Sequence, residues 1–213
     1  MTQSAPGRRM KLGLIPSIDE GDFNGQTARF SEIRDTAVAA EQAGFDSLWL
    51  ADHLIFRFPN RDEQGCWEVF TFLSALAAVT SRVQLGPLVA CTAFRNPALI
   101  AKMADSIDEI SNGRFILGLG AGWHEPEYRA FGYPFDHRVA RFEEALTIIT
   151  SLLRTGHVDF EGTYTSARDC ELRPRGPRAE GPPILIGTTG KRMLELTARH
   201  ADQWNVWFSP IDN

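Results

Sequence analysis

The chain has 213 residues, 43% of them hydrophobic, which is enough to bury a sizeable core in one or two domains. Its 27 acidic and 22 basic side chains leave a net charge of −5, with no basic surplus for phosphate contacts, so a dedicated nucleic-acid binder is set aside. Cys66, Cys91 and Cys170 are odd in number and widely spaced, giving neither a disulfide framework nor paired zinc ligands, and no apolar run approaches the roughly 18 residues of a membrane span. A cytoplasmic protein that avoids membranes is expected.

Regular patterning begins at Met10, Lys11 and Leu12, so residues 1–10 read as a disordered leader and 11–213 as a single domain. Residues 12–15 form a short apolar run ended by Pro16 and Ser17. Phe30, Ile33, Ala37 and Ala40 then recur at helical spacing up to Gly44. The unit repeats. Strand 47–50 runs into Asp52 and His53 and is followed by a helix carrying Trp67, Phe70, Leu73 and Ala77. Strand 83–89 is followed by Asn96 and Pro97, suited to a helix cap and first turn, and by Leu99, Met103, Ile107 and Ile110. Strand 115–119 leads through a long loop to Phe142, Leu146, Ile149 and Leu153. Residues 158–160 and 163–165 suggest a hairpin around Glu161 and Gly162. After a Pro-rich loop at 173–183 come strand 184–187, a helix with Leu194, Thr197, Ala198 and Ala201, and strand 204–208. Six near-continuous apolar strands alternating with five helices imply a parallel sheet covered by helices, either doubly wound or a (β/α) barrel; periodicity leaves both open.

In either architecture ligands gather at the carboxyl ends of the strands. There the sequence places Pro16, Ser17, Asp52, His53, Cys91, Thr92, Trp123, His124, Glu125, Thr188, Thr189, Gly190 and Ser209. Gly118, Gly120 and Gly122 have the look of a dinucleotide fingerprint, but Trp123 stands where its third glycine is required, so an NAD site is rejected. These glycines either allow close strand packing or form a ligand-facing loop, and the aromatic after them favours the loop. Residues 187–190 join a strand to a helix, so free N–H groups and hydroxyls there suit an anion; the plainer reading is a turn capped by Thr189. Asp52 and His53 suggest acid–base chemistry, against a structural histidine. His53, His124 and Glu125 lack metal-ligand spacing, and no metal site is expected. His137, His157 and His200 suit solvated or capping roles, and Trp49, Trp204 and Trp207 suit the core.

Residues 47–53, 85–89 with 94–97, and 110–115 together resemble the bacterial luciferase-like monooxygenase family. Residues 117–123 with Glu127, Gly132, Phe135 and Arg138 resemble the branch that uses the deazaflavin coenzyme F-420, and 183–187 and 201–204 continue the match, which spans residues 11–208. The resemblance implies a TIM-type (β/α)8 barrel binding a deazaflavin and passing hydride between its ring and a small organic substrate. It implies His53 as the proton-transferring residue, with Asp52 and His53 near the ring. Leu88 and Val89 would form a bulge with a non-proline cis peptide behind the ring, and Cys91 would stand where relatives more often carry a hydroxyl. Gly120, Ala121, Gly122 and Trp123 would surround the cofactor, and Gly187, Thr188, Thr189 and Gly190 would receive its phosphate-bearing tail, two threonines replacing the more usual glycine. Such a barrel has eight strands and about 250 residues, so the resemblance also implies an incomplete barrel: a fragment, a truncated gene model or a chain completed by a partner. A homodimer is compatible with it. The alternatives are an FMN-dependent monooxygenase, a non-catalytic remnant or interaction subunit, and a metal-dependent barrel hydrolase using His53 and His124.

Overall fold

The structure, a computed structural model, describes residues 10–21 and 25–207. In chain order the elements are β1 (Gly13–Leu14), α1 (Phe30–Ala43), β2 (Ser47–Leu50), β3 (Ile55–Phe56), β4 (Gln64–Gly65), α2 (Val69–Val79), β5 (Gln84–Pro87), β6 (Ala90–Cys91), α3 (Pro97–Ile110), β7 (Leu117–Gly120), α4 (Glu125–Phe131), α5 (Arg138–Thr155), β8 (His157–Glu161), β9 (Ser166–Glu171), β10 (Ile184–Gly187), α6 (Lys191–His200) and β11 (Gln203–Asn205). A 3-10 turn, Thr92–Phe94, joins β6 to α3.

The strand order decides the architecture. β1 pairs with β2 and β2 with β5, while β6 pairs with β7, β7 with β10 and β10 with β11, all parallel. β5 and β6 are two halves of one strand, broken at Leu88 and Val89, and a parallel bridge from Leu85 to Phe115 joins the two sheets across the break. Each βα unit therefore lies beside the next in sequence, with no reversal of order. A doubly wound sheet reverses at its switch point, whereas a barrel does not. The fold is a TIM-type barrel, partial over the described residues.

Strand residues Leu48, Leu50, Leu85, Leu117, Leu119, Ile184 and Ile186 share one continuous core with Ile33, Leu73, Ile100, Ile107, Phe142 and Ile149 of the helices. Burial on both faces explains why the strands read as continuous apolar runs. Caps set the helix starts: Glu68 accepts the N–H groups of Phe70 and Thr71, and Asn96 those of Ala98 and Leu99 before Pro97.

Several expected elements are revised. α4 lies within what reads as a long loop; Pro126 in its first turn and Gly132 just past its end are the local signals for it. The second hairpin strand is Ser166–Glu171, not 163–165, because the Glu144 carboxylate takes the N–H groups of Thr163, Tyr164 and Thr165 and makes them the turn. On α3 the buried face runs through Ile100, Ala104 and Ile107, leaving Leu99 and Ile110 exposed. Asp105 and Asp108 also lie on the buried face, where Asp105 receives the Gly176 N–H and Asp108 is gripped by Arg178. On α6 the buried residues are Met193, Leu196 and Thr197, with Leu194 exposed. Trp67 precedes α2 and donates to the Ala28 carbonyl, while Trp204 and Trp207 are exposed rather than core. Trp49 is half-buried across Gly13 and Gly86. Phe208 and Ser209 lie outside the described residues.

Candidate functional site

The carboxyl ends of β1, β2, β6, β7, β10 and β11 surround one cavity of about 1070 Å³, large enough for a cofactor and a small substrate. Asp52 and His53, Leu88 and Val89, Cys91, residues 120–123 and residues 187–190 all border it. The expected residues, drawn from five strand ends, thus meet at one place. Three strand-exit residues do not: Thr92 donates to the Gly120 carbonyl, and His124 and Glu125 turn to other partners.

His53 follows β2, and its Nδ1 lies 3.0 Å from Oε1 of Glu127 on α4. The other carboxylate oxygen, Oε2, accepts the N–H of Leu54 at 2.9 Å. Glu127 is only 1% exposed, whereas the His53 side chain keeps 15% of its surface. Phe56, with ring centroids 4.3 Å apart, and Trp123, at 5.6 Å, flank the imidazole.

Asp52 points its carboxylate elsewhere. Arg95 grips it through two bonds of 2.7 and 2.9 Å and also reaches Glu68 at 2.6 Å, while the Cys91 N–H donates to Asp52 at 2.8 Å. Burial pushes the Asp52 carboxyl above its ordinary value, against the pull of Arg95. Burial also lowers Arg95, but Asp52 and Glu68 outweigh it and hold the guanidinium above the arginine range. The pair ties the end of β2 to the start of α2 and the strand break, and Asp52 is a structural member of the wall.

Cys91 lies 2.9 Å from the Tyr128 hydroxyl, which itself donates to the Ala121 carbonyl. With the tyrosine proton committed, Cys91 is the donor of the pair. Burial pushes its thiol up to about 12, and burial with the neighbouring Cys91 raises Tyr128 as well. The sulfur is a neutral hydrogen-bond donor rather than a nucleophile.

The Leu88–Val89 peptide is cis, at the position where the resemblance places one. Val89 projects between two strands: a Cβ on Gly120 would stand 2.6 Å from its Cγ2, and one on Gly187 would stand 3.0 Å from its Cγ1. A Cβ on Gly118 would overlap the Pro87 carbonyl. Gly122 combines φ +74 with a position where a Cβ would strike the Tyr128 hydroxyl. Close approach thus accounts for Gly118 and Gly120, and the loop begins at Ala121; both readings of the glycine run hold, for different residues.

After β10, the Thr188 hydroxyl accepts the Gly190 N–H, and the Trp204 indole donates to the Thr188 carbonyl. Gly190, not Thr189, is the N-cap of α6 and supplies no side-chain cap, so the helix start faces the cavity with its N–H groups uncapped. His124 is buried and its Nε2 accepts the Arg57 N–H at 3.0 Å, holding the β3–β4 hairpin. Burial lowers its pKa, with Glu127 pulling the other way. Glu125 pairs with Arg129 on its own helix. Among the described residues no group of three or more His, Cys, Asp or Glu side chains is arranged to hold a metal, and no helix is long and apolar enough to cross a membrane.

Sequence reasoning left Arg95 and Glu68 unassigned and gave Glu127 and Arg138 no role. Arg138, which borders the cavity with its guanidinium over the Phe135 ring, and Glu127 were visible only as members of a motif. Nothing local links Glu127 to a histidine 74 positions away.

Residues 10–213 match the luciferase-like monooxygenase family. The pyrimidine monooxygenase RutA of Rhizobium rhizogenes is 38% identical over 208 residues, covering 91% of this chain and 56% of that protein. The chain spans about half the length of the curated relatives it matches. An F-420-dependent secondary alcohol dehydrogenase solved with an F-420–acetone adduct superposes with a TM-score of 0.78 at 22% identity, over 93% of this chain and 58% of that one. The oxygenating constituent of 3,6-diketocamphane monooxygenase from Pseudomonas putida, solved with FMN, superposes with a TM-score of 0.73 at 22% identity, over 91% and 56%. At such identity the two structures speak to the fold alone, and they hold different cofactors. With its matched residues, its strand order and the cavity at its strand ends, the chain belongs to the luciferase-like monooxygenase family.

Proposed function

We propose that this chain binds FMN in the strand-end cavity and serves a monooxygenase reaction on a small planar heterocycle of the pyrimidine class. The observation that carries this reading is the cavity itself, which joins an apolar floor, a histidine fixed by a carboxylate and an uncapped helix start. The 38% identity to a protein named pyrimidine monooxygenase supports the substrate class and the oxygen chemistry. When bound, the flavin supplies electrons to dioxygen, a reaction that a deazaflavin does not readily undergo. Hydride transfer with F-420, the expectation from the motif resemblance, rests here on a fold neighbour at 22% identity and takes second place.

The residues present fit a flavin. Leu88 and Val89 offer an apolar face on which a flat ring can rest, and the absence of a Cβ at Gly120 and Gly187 leaves that face where it is. The N–H groups at the start of α6, together with Thr189, suit the terminal phosphate. Ile15, Ile18 and Met193 line the wall and exclude water from the ring. His53 holds or accepts a proton at Nε2, the ring nitrogen not engaged by Glu127. Cys91, with its S–H committed to Tyr128, orders the wall rather than donating to the ligand.

The test is a parallel equilibrium titration of the purified protein with FMN and with F-420, followed by fluorescence. Saturable binding of FMN alone is expected. Saturable binding of F-420 alone, or of neither, overturns the proposal for this chain.

A further inference from the structure

The His53–Glu127 contact joins a largely buried strand-exit histidine to a buried carboxylate. Both oxygens of Glu127 are in use, one at Nδ1 of His53 and one at the N–H of the next residue, Leu54. A carboxylate only accepts hydrogen bonds, so the proton between the two side chains belongs to Nδ1. In the neutral ring the lone pair then sits on Nε2. Phe56 and Trp123 flank the ring, and His53 borders the cavity.

We propose that Glu127 is the positioning residue of this site: it selects the Nδ1–H tautomer of His53 and leaves the Nε2 lone pair free, making His53 a proton acceptor toward the substrate. The inference rests on the reading of His53 given above and deepens it. Three other ionisable groups near the ring are held by partners of their own. Asp52 is gripped by Arg95, Cys91 donates to Tyr128, and His124 uses its Nε2 on the Arg57 N–H. Glu127 is the carboxylate, among the described residues, that stands within hydrogen-bond distance of the imidazole. A purely structural role would need only the Leu54 contact, which serves the backbone; the Nδ1 contact serves the ring.

Glu127→Gln separates the two roles. Its amide oxygen can still accept the Leu54 N–H, while its NH2 group donates to Nδ1 and forces the ring proton onto Nε2. The experiment is nitrogen-15 NMR of histidine-labelled protein without added cofactor, with the His53 signals assigned by their disappearance in His53→Gln. In the unmodified protein the Nδ1–H tautomer is expected at slightly alkaline pH. In Glu127→Gln the tautomer inverts, because the amide NH2 donates to Nδ1. An Nε2–H tautomer in the unmodified protein overturns the inference, and so does a variant whose tautomer is unchanged. The first of these does not depend on Glu127→Gln and so survives any folding defect of that variant. FMN titration of the same samples is the separate arm: failure to bind FMN counts against the proposed function, while the tautomer result judges the role of Glu127.

Discussion

At Gly122 the backbone turns out of β7 at φ +74, and a methyl group there would meet both the Tyr128 hydroxyl and Cys91 Sγ. Gly122→Ala is therefore expected to cost more than about 1 kcal/mol, combining a left-handed backbone with a steric clash. Urea denaturation measures it, and an unchanged midpoint would refute the argument. Cys91 offers a chemical check on the same wall. Its thiol is pushed up to about 12 by burial, whereas Cys66 and Cys170 are half-buried, so Cys91 should resist iodoacetamide in the native state at mildly alkaline pH while the other two react. Mass spectrometry of the alkylated protein reads this directly, and rapid labelling of Cys91 would contradict it. At this scale the sequence made His53 visible, because a histidine at a strand exit is a recognisable feature. Its partner was not, since a glutamate acquires meaning as a clamp only once α4 has been packed beside β2.

The start of α3 was legible because capping is local chemistry. Asn96 followed by Pro97 marks α3, and Asn96→Ala is expected to cost about 1 kcal/mol by removing the acceptor for the Ala98 and Leu99 N–H groups. Thermal unfolding would show it. The buried face of the same helix was misassigned, because a hydrophobic count discards Asp105 and Asp108, and these become buried only when the 173–183 strap brings Gly176 and Arg178 against them. The β3–β4 hairpin is held in a pH-dependent way. His124 accepts the Arg57 N–H through Nε2 and therefore has to be neutral there. Burial lowers its pKa below the ordinary 6.5, so between the two values the unfolded chain binds a proton that the folded chain refuses. Stability consequently rises with pH through this window: the contribution is complete above about 6.5, declines as pH falls through it, and levels off beneath the folded value. Amide exchange at Arg57 should accelerate relative to the chemical rate between neutral pH and about pH 5.5. A protection factor constant over that range would rule the idea out.

Across the molecule, one guanidinium connects three chain segments. Arg95 joins Asp52 beyond β2, Glu68 at the start of α2 and, through Asp52, the Cys91 N–H beside the strand break. Arg95→Met strands the buried Asp52 charge and is expected to cost about 3–5 kcal/mol, with part of the loss recovered in the double variant carrying Asp52→Asn. Urea titration of the single and double variants tests both statements, and a single variant as stable as the unmodified protein would sink them. The sequence by itself determined the βα alternation, the Asn96 cap of α3 and the polar character of the strand exits, because these depend on periodicity and on contacts within a few residues. The residues at the strand exits could be named in advance because every parallel strand ends at the same rim. Periodicity could not decide between a doubly wound sheet and a barrel; the family resemblance implied the barrel and the strand order showed it, because strand order is a long-range pairing. Tertiary structure alone decided which carboxylate serves which partner, sending Asp52 to Arg95 and Glu127 to His53. That choice depends on burial and on distances between segments far apart in the chain, for which no local pattern of residues is a substitute.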